Sequence, residues 1–476
     1  MESKFFKVSA LTAAMLGAVA MPATAEEMNV SSPVIQDEIA FFNDSTISGN
    51  VNFFMRARDR AGKENPAGPN GGNDTKKVAN LDHGSIFANL GFNSGYIADT
   101  VGLDLVVYST FDMWQNASFD HEMNFVDCSS PYNMGSSCDS FETDNGVSYS
   151  TANLKFKFGE NVNAKLGYFQ PSVPSTLGVN WSFAPGTYRG GQVGLNFGDL
   201  ALGAVFADEY KAPWFKSTYE FRDGGAWGPT GSDGTALGKD VGEVYSVGAR
   251  YTLANGVSID AAFGGLTDGD RKNAHIKVKG TTDGGFYWSP QVYMIDDKNQ
   301  YDDTAFQLAF LSSFASGPYS FRAETTYTMA DSTEKRGQVG NFAYRLTEQY
   351  GGSNGAYDIW WNNRSDYNHD GELALFGSMS RDFADIGATG LNAGVSAVYG
   401  FGAKSKQEGI DELKEYAFSL FTSYAIQNGA LKDANISMHY TQYYNDTNAA
   451  DWGPYSNGFN DEKDFKLILT MPFGIK

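Results

Sequence analysis

The sequence predicts an all-β fold, a transmembrane antiparallel β-barrel of about 18 strands. After the first 25 residues, no run approaches the roughly 18 apolar residues that a transmembrane helix needs. Glycine, phenylalanine and tyrosine are abundant (54, 35 and 26 residues), whereas proline and cysteine are scarce (14 and 2). The mean hydropathy of −0.35 indicates that apolar residues are dispersed through the chain. An exported chain of this kind crosses a membrane with strands that alternate apolar and polar side chains.

The N-terminus has the three parts of a secretory signal. Lys4 and Lys7 form a positive region, residues 8–21 an apolar region, and Ala23-Thr24-Ala25 a cleavage site of the A-x-A type. We therefore expect Sec export and a mature chain that begins at Glu26. The expected organisation is a signal peptide (1–25), a periplasmic N-terminal segment (26–46) and a barrel domain (47–476).

Residues 47–60 illustrate the pattern that defines a strand, because successive strand side chains point to opposite faces. The odd-numbered face is apolar and carries Ile47, Gly49, Val51, Phe53, Met55 and Ala57. The even-numbered face carries Ser48, Asn50, Asn52, Phe54, Arg56, Arg58 and Arg60. A face with three arginines is unsuited to a dry core, so the pattern indicates lipid on one side and water on the other.

The same alternation recurs along the chain to the final segment, in which Phe465, Leu467 and Leu469 share one face. Predicted strands begin near residues 47, 84, 102, 147, 162, 189, 200, 244, 257, 274, 284, 304, 317, 372, 390, 414, 432 and 463. An array of secreted β-sandwiches or a propeller would need a repeat of fixed period or proline-rich linkers, and the sequence has neither.

The gaps between predicted strands alternate between short and long. The long gaps are 61–80, 114–146, 171–188, 208–243, 330–371 and 445–462. Short periplasmic turns and long extracellular loops are typical of outer-membrane barrels, with both termini periplasmic and an even number of strands. A barrel of about 18 strands, or of 16 as the alternative, encloses an aqueous lumen. The sequence therefore predicts a channel.

Charge and motif content argue against several classes of function. The formal charge of −21, from 56 acidic and 35 basic residues, argues against nucleic acid as a partner. The stretch 366–372 imitates the start of a calcium loop, but Gly377 stands where the bidentate glutamate should be, so we expect no metal and no cofactor. His439 has no serine motif nearby in sequence, and we expect no catalytic residues.

The two cysteines, Cys128 and Cys138, are expected to form a disulfide. They bracket a loop rich in serine, proline and glycine in an exported chain, where oxidised pairs persist. The alternative is a pair of free thiols or half of a metal site, but the neighbouring sequence holds no further cysteine or histidine to complete a tetrahedral set.

Candidate pore residues come from the long gaps. Trp360 and Trp361 stand in the polar stretch "GAYDIWWNNRSD", and Trp214 follows acidic and basic residues in "DEYKAPWF". Aromatic rings mixed with short polar residues suit the passage of carbohydrate, whereas anchoring at the lipid interface explains about half of the eight tryptophans. Tyr188 and Arg189 are placed either at a constriction or at a rim turn, and composition alone leaves both open.

The stretches "FAPGTYRGGQVG", "DEYKAPWF" and "SNGAYDIWWNNRSDYNHDGE" resemble the OprD family of substrate-specific outer-membrane porins, and within it the chitoporin branch. This resemblance implies a barrel narrowed by inward loops, with a basic ladder on one side and uptake of chitooligosaccharides. It implies Arg56, Arg58 and Arg60 as ladder residues and Tyr188 and Arg189 as constriction residues. It also implies that Trp360, Trp361 and Arg364 face the path.

The leading hypothesis is passive, non-enzymatic diffusion of chitooligosaccharides through an outer-membrane porin. A channel for basic amino acids or small carboxylates, as in other branches of the family, is a second hypothesis. A surface adhesin or a barrel enzyme is a third hypothesis, from another class. The expected partners are a small solute and outer-membrane lipids, and the assembly state stays open, with a monomer as one option.

Overall fold

Eighteen long strands form the wall of a closed antiparallel barrel. A computed structural model describes residues 40–60, 64–65, 74–75, 81–116, 124–128, 138–222, 238–331, 341–347, 350–403, 412–446 and 461–474. The predicted signal peptide and most of the predicted periplasmic segment lie outside these residues. Among the described residues, no helix is both long enough and apolar enough to cross a membrane.

The wall strands are numbered here in chain order. They are β1 Thr46–Arg60, β2 Leu81–Asn93, β3 Val101–Gln115, β4 Gly146–Phe158, β5 Val162–Phe169, β6 Thr187–Phe197, β7 Leu200–Lys211, β8 Val244–Thr252 and β9 Ser258–Leu266. The second half comprises β10 Lys272–Thr281, β11 Tyr287–Asp296, β12 Ala305–Ser316, β13 Tyr319–Met329, β14 Leu373–Asp382, β15 Leu391–Ala403, β16 Leu413–Ala425, β17 Asn435–Asn445 and β18 Glu462–Gly474.

The barrel closes through its first and last strands. β1 pairs with β18 in an unbroken antiparallel register from Ser48 opposite Gly474 to Arg60 opposite Glu462. Every other wall strand pairs with its neighbours in sequence, and the two-residue strand Tyr219–Glu220 extends the sheet at the end of β7. The predicted 18-stranded barrel is therefore confirmed, and the alternative of 16 strands is wrong.

Alternation sets the two faces of the wall, as the sequence predicts. On β1, Asn52 and Arg56 are buried against the interior, whereas on β2 the side chains of Ile86 and Leu90 are exposed on the outside. The last strand follows the same rule, because Asp464 and Thr470 are buried inside. The exposed outer band of leucine, isoleucine, valine and phenylalanine is the surface that lipid covers.

Short and long connections fall at opposite ends of the barrel. β4 and β5 are joined by residues 159–161 and β6 and β7 by residues 198–199, whereas residues 330–372 separate β13 from β14. The short elements in the connections are the helix Ala40–Asn43, the 3-10 turn Ala384–Ile386 and the strands Glu64–Asn65, Asp74–Thr75, Phe125–Cys128, Cys138–Asp144, Leu177–Gly178 and Asn354–Gly355. Which end faces the periplasm stays a prediction.

The two cysteines lie on an antiparallel pair of strands within a long connection. Phe125–Cys128 pairs with Cys138–Asp144, and the register sets Cys128 opposite Cys138. Their side chains lie outside the described residues, so the disulfide stays a prediction that this register favours.

Candidate functional site: the constricted lumen

Two long connections fold into the barrel and meet inside it. Loop A comprises residues 170–186, between β5 and β6, and loop B comprises residues 330–372, between β13 and β14. The strand Leu177–Gly178 of loop A pairs with Asn354–Gly355 of loop B, and the backbone N–H of Ala356 donates to the carbonyl of Thr176 at 2.8 Å. The lumen is therefore narrowed by two loops that support each other.

A row of glycines on the inner wall lets the backbone of loop A pack closely against the strands. The row crosses four neighbouring strands and consists of Gly194, Gly203, Gly248 and Gly264. A Cβ on Gly203 would lie 2.4 Å from the carbonyl oxygen of Pro174, and a Cβ on Gly248 would lie 2.6 Å from the same oxygen. Real Cβ atoms do not approach other atoms so closely, and only glycine lets the loop backbone lie against these strands.

Tyr188, a predicted constriction residue, joins the wall to loop B. Its side chain is fully buried, its ring lies 4.5 Å from that of Tyr210, and its hydroxyl donates to the carbonyl of Asn354 at 2.8 Å. The same hydroxyl oxygen lies 3.1 Å from the backbone nitrogen of Asn354. The structure thus gives Tyr188 a part in holding the constriction and leaves none of its ring exposed to the lumen.

Loop B continues from this junction as a belt along the inner wall. The belt, residues 356–364, contacts each strand from β10 to β16, and also β18. Its contacts with the wall are those of Asp358 with Lys277 on β10, Tyr357 with Gln307 on β12, Trp361 with Glu324 on β13, Asn363 with Ser396 on β15, Asn362 with Ser419 on β16 and Arg364 with Glu462 on β18. The stretch predicted to face the path therefore lines about half of the wall.

Asp358 is the main electrostatic anchor of the belt. Its two carboxylate oxygens each lie 2.8 Å from a lysine Nζ of β10, that of Lys277 and that of Lys279. Its backbone N–H donates to the hydroxyl of Tyr293 at 3.0 Å. Burial opposes its ionisation, but the two lysines outweigh that effect and hold the pKa of Asp358 well below its usual range.

The adjacent tryptophans of the belt have different environments. Trp361 is 8% exposed, its ring stacks on Phe376 with centroids 5.3 Å apart, and its indole N–H donates to Glu324 at 2.7 Å. Trp360 is 58% exposed, and the contact that holds it is made by its backbone carbonyl, which accepts a 3.1 Å hydrogen bond from Arg322. Trp361 therefore fixes the belt, and Trp360 presents its ring to solvent.

Arg56 of the predicted basic ladder and the predicted constriction residue Arg189 are both paired with acidic side chains. Arg56 is fully buried and forms a bidentate ion pair with Asp464, at 2.7 and 2.9 Å. Arg58 is half-buried on the same face, and the side chain of Arg60 lies outside the described residues. Arg189 is 40% exposed, and its guanidinium lies 2.6 Å from Asp208 and 2.8 Å from Glu209.

Trp214 and Arg364 also have partners. Trp214 is 3% exposed and stacks on Tyr350 of loop B with centroids 5.3 Å apart, so it packs between two long connections. Arg364 pairs with the buried carboxylate of Glu462 and has a φ of 59°, a left-handed backbone that marks a turn at the end of the belt. Both residues hold loops in position.

Several residues of this site were not predicted from the sequence. Lys277, Lys279 and the glycine row carry no motif, and their role appears only when loops A and B are placed inside the barrel. The alternation of side chains along a strand could have indicated the two lysines, because it places Lys277 and Lys279 on the same face of β10. Trp181 of loop A, which is 61% exposed, is a second solvent-facing ring among the inward loops.

Residues 39–475 match the family model described as outer membrane porin, OprD family. The chain belongs to the OprD family of outer-membrane porins. Its 18-stranded barrel and constricted lumen are those of an outer-membrane channel, in agreement with the resemblance found in the sequence. The chain is 34% identical to the chitoporin of Escherichia coli K12, over 97% of this chain and 96% of that protein.

Solved porins of Pseudomonas aeruginosa share the fold at lower sequence identity. The OccK8 (OprE) structure superposes with a TM-score of 0.68 at 16% identity and covers 92% of this chain and all of that one. OpdK, solved with vanillate, superposes with a TM-score of 0.67 at 16% identity and covers 91% of this chain and all of that one. At this identity the likeness concerns the barrel alone.

Proposed function

We propose that this outer-membrane porin takes up chitooligosaccharides by passive diffusion. The proposal is supported by the 34% identity, over nearly the full length, to a protein named chitoporin. The observation that carries it is the exposed ring of Trp360 on a belt that is otherwise fixed to the wall. An exposed ring on a fixed backbone can bind a sugar without a change in the belt.

A tryptophan face suits the apolar C–H surface of a sugar ring, and polar neighbours suit its hydroxyl and acetamido groups. Asn362, two residues beyond Trp360, is half-buried and so keeps part of its surface open to the lumen. Trp181 offers a second exposed ring on loop A. An exposed ring on each of the two inward loops would give an oligosaccharide successive weak sites, which permits both entry and exit.

The pairing of arginines with acidic side chains in the lumen favours a neutral solute over a small anion. Arg56 lies on Asp464, Arg189 lies on Asp208 and Glu209, and Arg322 lies 2.7 Å from Glu324. A carboxylate entering the lumen would have to compete with these acids for the cations. The family resemblance also suggests basic amino acids or small carboxylates as substrates, and these are the second candidate.

The proposal is tested by block of ion current through the purified protein in a planar bilayer. Chitohexaose should interrupt the current in a concentration-dependent manner, and maltohexaose, which lacks acetamido groups, should do so less. Arginine and a small aromatic carboxylate are the comparison solutes. If either of these blocks the current and chitohexaose does not, the proposed substrate class is wrong and the second candidate replaces it.

A further inference from the structure

Three buried side chains at the long-loop end of the barrel have no part in the proposed permeation path. They are His369 and Glu372, at the end of loop B, and Glu415 on β16, and all three are 0% exposed. The Nδ1 atom of His369 lies 3.1 Å from Glu372 Oε2 and 3.6 Å from Glu415 Oε1. One donor atom from each residue lies within 4.8 Å of the other two.

The fold brings these residues together from distant parts of the sequence. Glu372 directly precedes β14, and Glu415 stands opposite Gly400 in the pairing of β15 with β16. A Cβ on Gly400 would lie 2.1 Å from Glu372 Oε1, so glycine at this position leaves room for the carboxylate. The hydroxyl of Tyr443 donates to Glu415 Oε2, which leaves Oε1 directed at His369.

Buried carboxyl oxygens of the cluster lack hydrogen-bond partners among the described residues. Two carboxyl groups face one imidazole, and its Nδ1 atom lies near an oxygen of each. In the part of the chain that the structure describes, Glu372 Oε1 and Glu415 Oε1 accept no hydrogen bond. A buried polar atom without a partner is costly, and a bound cation would give both oxygens a partner.

Although the sequence led us to expect no metal, we propose that His369, Glu372 and Glu415 form a binding site for a divalent transition-metal ion, with zinc as the favoured ion. Zinc takes imidazole nitrogen and carboxylate oxygen at about 2.0 to 2.2 Å, and tetrahedral geometry then sets donor atoms about 3.3 to 3.6 Å apart. The separations of 3.1 and 3.6 Å are close to that range. Calcium is disfavoured because it requires about six to eight oxygen donors.

The ion would neutralise both carboxylates and join the end of loop B to the wall at β14 and β16. Water would complete the coordination, because the described residues supply three donors. Tyr443 would act as an outer-shell residue that orients Glu415, in the way that hydrogen-bonded partners orient metal ligands elsewhere. The site is distinct from the belt residues proposed to bind sugar, so its test does not depend on the substrate.

The test uses the full-length folded protein, produced without a histidine tag. The protein is treated with EDTA, incubated with zinc, freed of unbound metal and analysed by elemental mass spectrometry and zinc-edge X-ray absorption. We expect one zinc per chain, with nitrogen and oxygen donors at about 2.0 to 2.2 Å. Glu415→Gln should reduce bound zinc to background, and Tyr443→Phe should weaken binding by about 10- to 100-fold.

Two controls separate this result from misfolding and from surface binding. Tyr444→Phe changes the adjacent residue, which points to the opposite face of β17, and it should keep the wild-type zinc content. Heat-modifiable migration on gels reports a folded barrel for every variant. Two results would overturn the proposal and leave a salt-bridged triad. One is folded wild-type protein that retains no zinc, and the other is a Glu415→Gln variant that binds zinc as tightly as wild type.

Discussion

The indole nitrogen of Trp361 donates a 2.7 Å hydrogen bond to Glu324, and this contact ties loop B to the inner wall. Glu324 also pairs with Arg322, which in turn donates to the carbonyl of Trp360. One carboxylate thus organises both tryptophans of the belt. The buried ring holds the backbone in place, and the exposed ring depends on that support.

Replacing Trp361 should disturb the belt without removing the exposed ring. Trp361→Phe keeps an aromatic surface on Phe376 but loses the hydrogen bond to Glu324, and a lost bond to a charged group costs about 1.5 to 3 kcal/mol. We expect noisier open-channel current, because the belt separates from the inner wall more often. Single-channel recordings check this, and a baseline as quiet as that of wild type would contradict an anchoring role.

Substitution in the glycine row should move loop A. Gly203→Ala would add a Cβ 2.4 Å from the carbonyl oxygen of Pro174, which pushes the loop away from the wall and into the lumen. We expect lower single-channel conductance than in wild type. Gly377→Ala is the matched control, because a Cβ there has no atom within 4 Å. Equal conductance in both variants would show that loop A does not rest on this row.

Period-two alternation made the barrel predictable from sequence. Each of the 18 strands begins within three residues of its predicted position, because each strand has one face in lipid and the other towards the lumen. The pattern also assigned Arg56 correctly to the inner face. It could not reveal Asp464 as the partner of Arg56, because the two residues meet only when the last strand closes on the first.

The constriction was less predictable because loops have no comparable period. The sequence singled out Trp360 and Trp361 through their polar neighbours, yet it gave no reason to distinguish the two. Their difference arises from Glu324 and Phe376, which lie on β13 and β14. Lys277 and Lys279 were missed for the same reason, since their partner Asp358 is about 80 residues away in sequence.

The ion pairs of Asp358 with Lys277 and Lys279 should persist in mild acid. Its pKa in the folded protein is held below the ordinary aspartate value of about 3.9, so its stabilising contribution is complete above that value and is lost only as the pH falls through the folded pKa. We expect unchanged current noise between about pH 7 and pH 4. Asp358→Asn should raise the noise at neutral pH. Increased noise near pH 5 in the wild-type channel would contradict the assigned anchor.

Reduction of the cysteine pair should affect the loop and not the barrel. A disulfide that closes a loop of about ten residues contributes on the order of 2 to 3 kcal/mol by restricting the unfolded chain. The opposed positions of Cys128 and Cys138 lie in the connection between β3 and β4, outside the closed wall. A thiol assay should detect free cysteine only after reductant, with heat-modifiable migration unchanged. A barrel that unfolds on reduction would contradict this assignment.

The residence time of a chitooligosaccharide in single-channel current shows whether the exposed ring of Trp360 binds sugar. Trp360→Ala should shorten each interruption by chitohexaose at similar open-channel conductance, because lost stacking acts mainly on the rate of dissociation. Trp288→Ala serves as control, since the neighbouring Ser289 is fully buried inside the wall and Trp288 on β11 points outward. We expect shortened interruptions for Trp360→Ala alone. Interruptions of wild-type length in Trp360→Ala would contradict it.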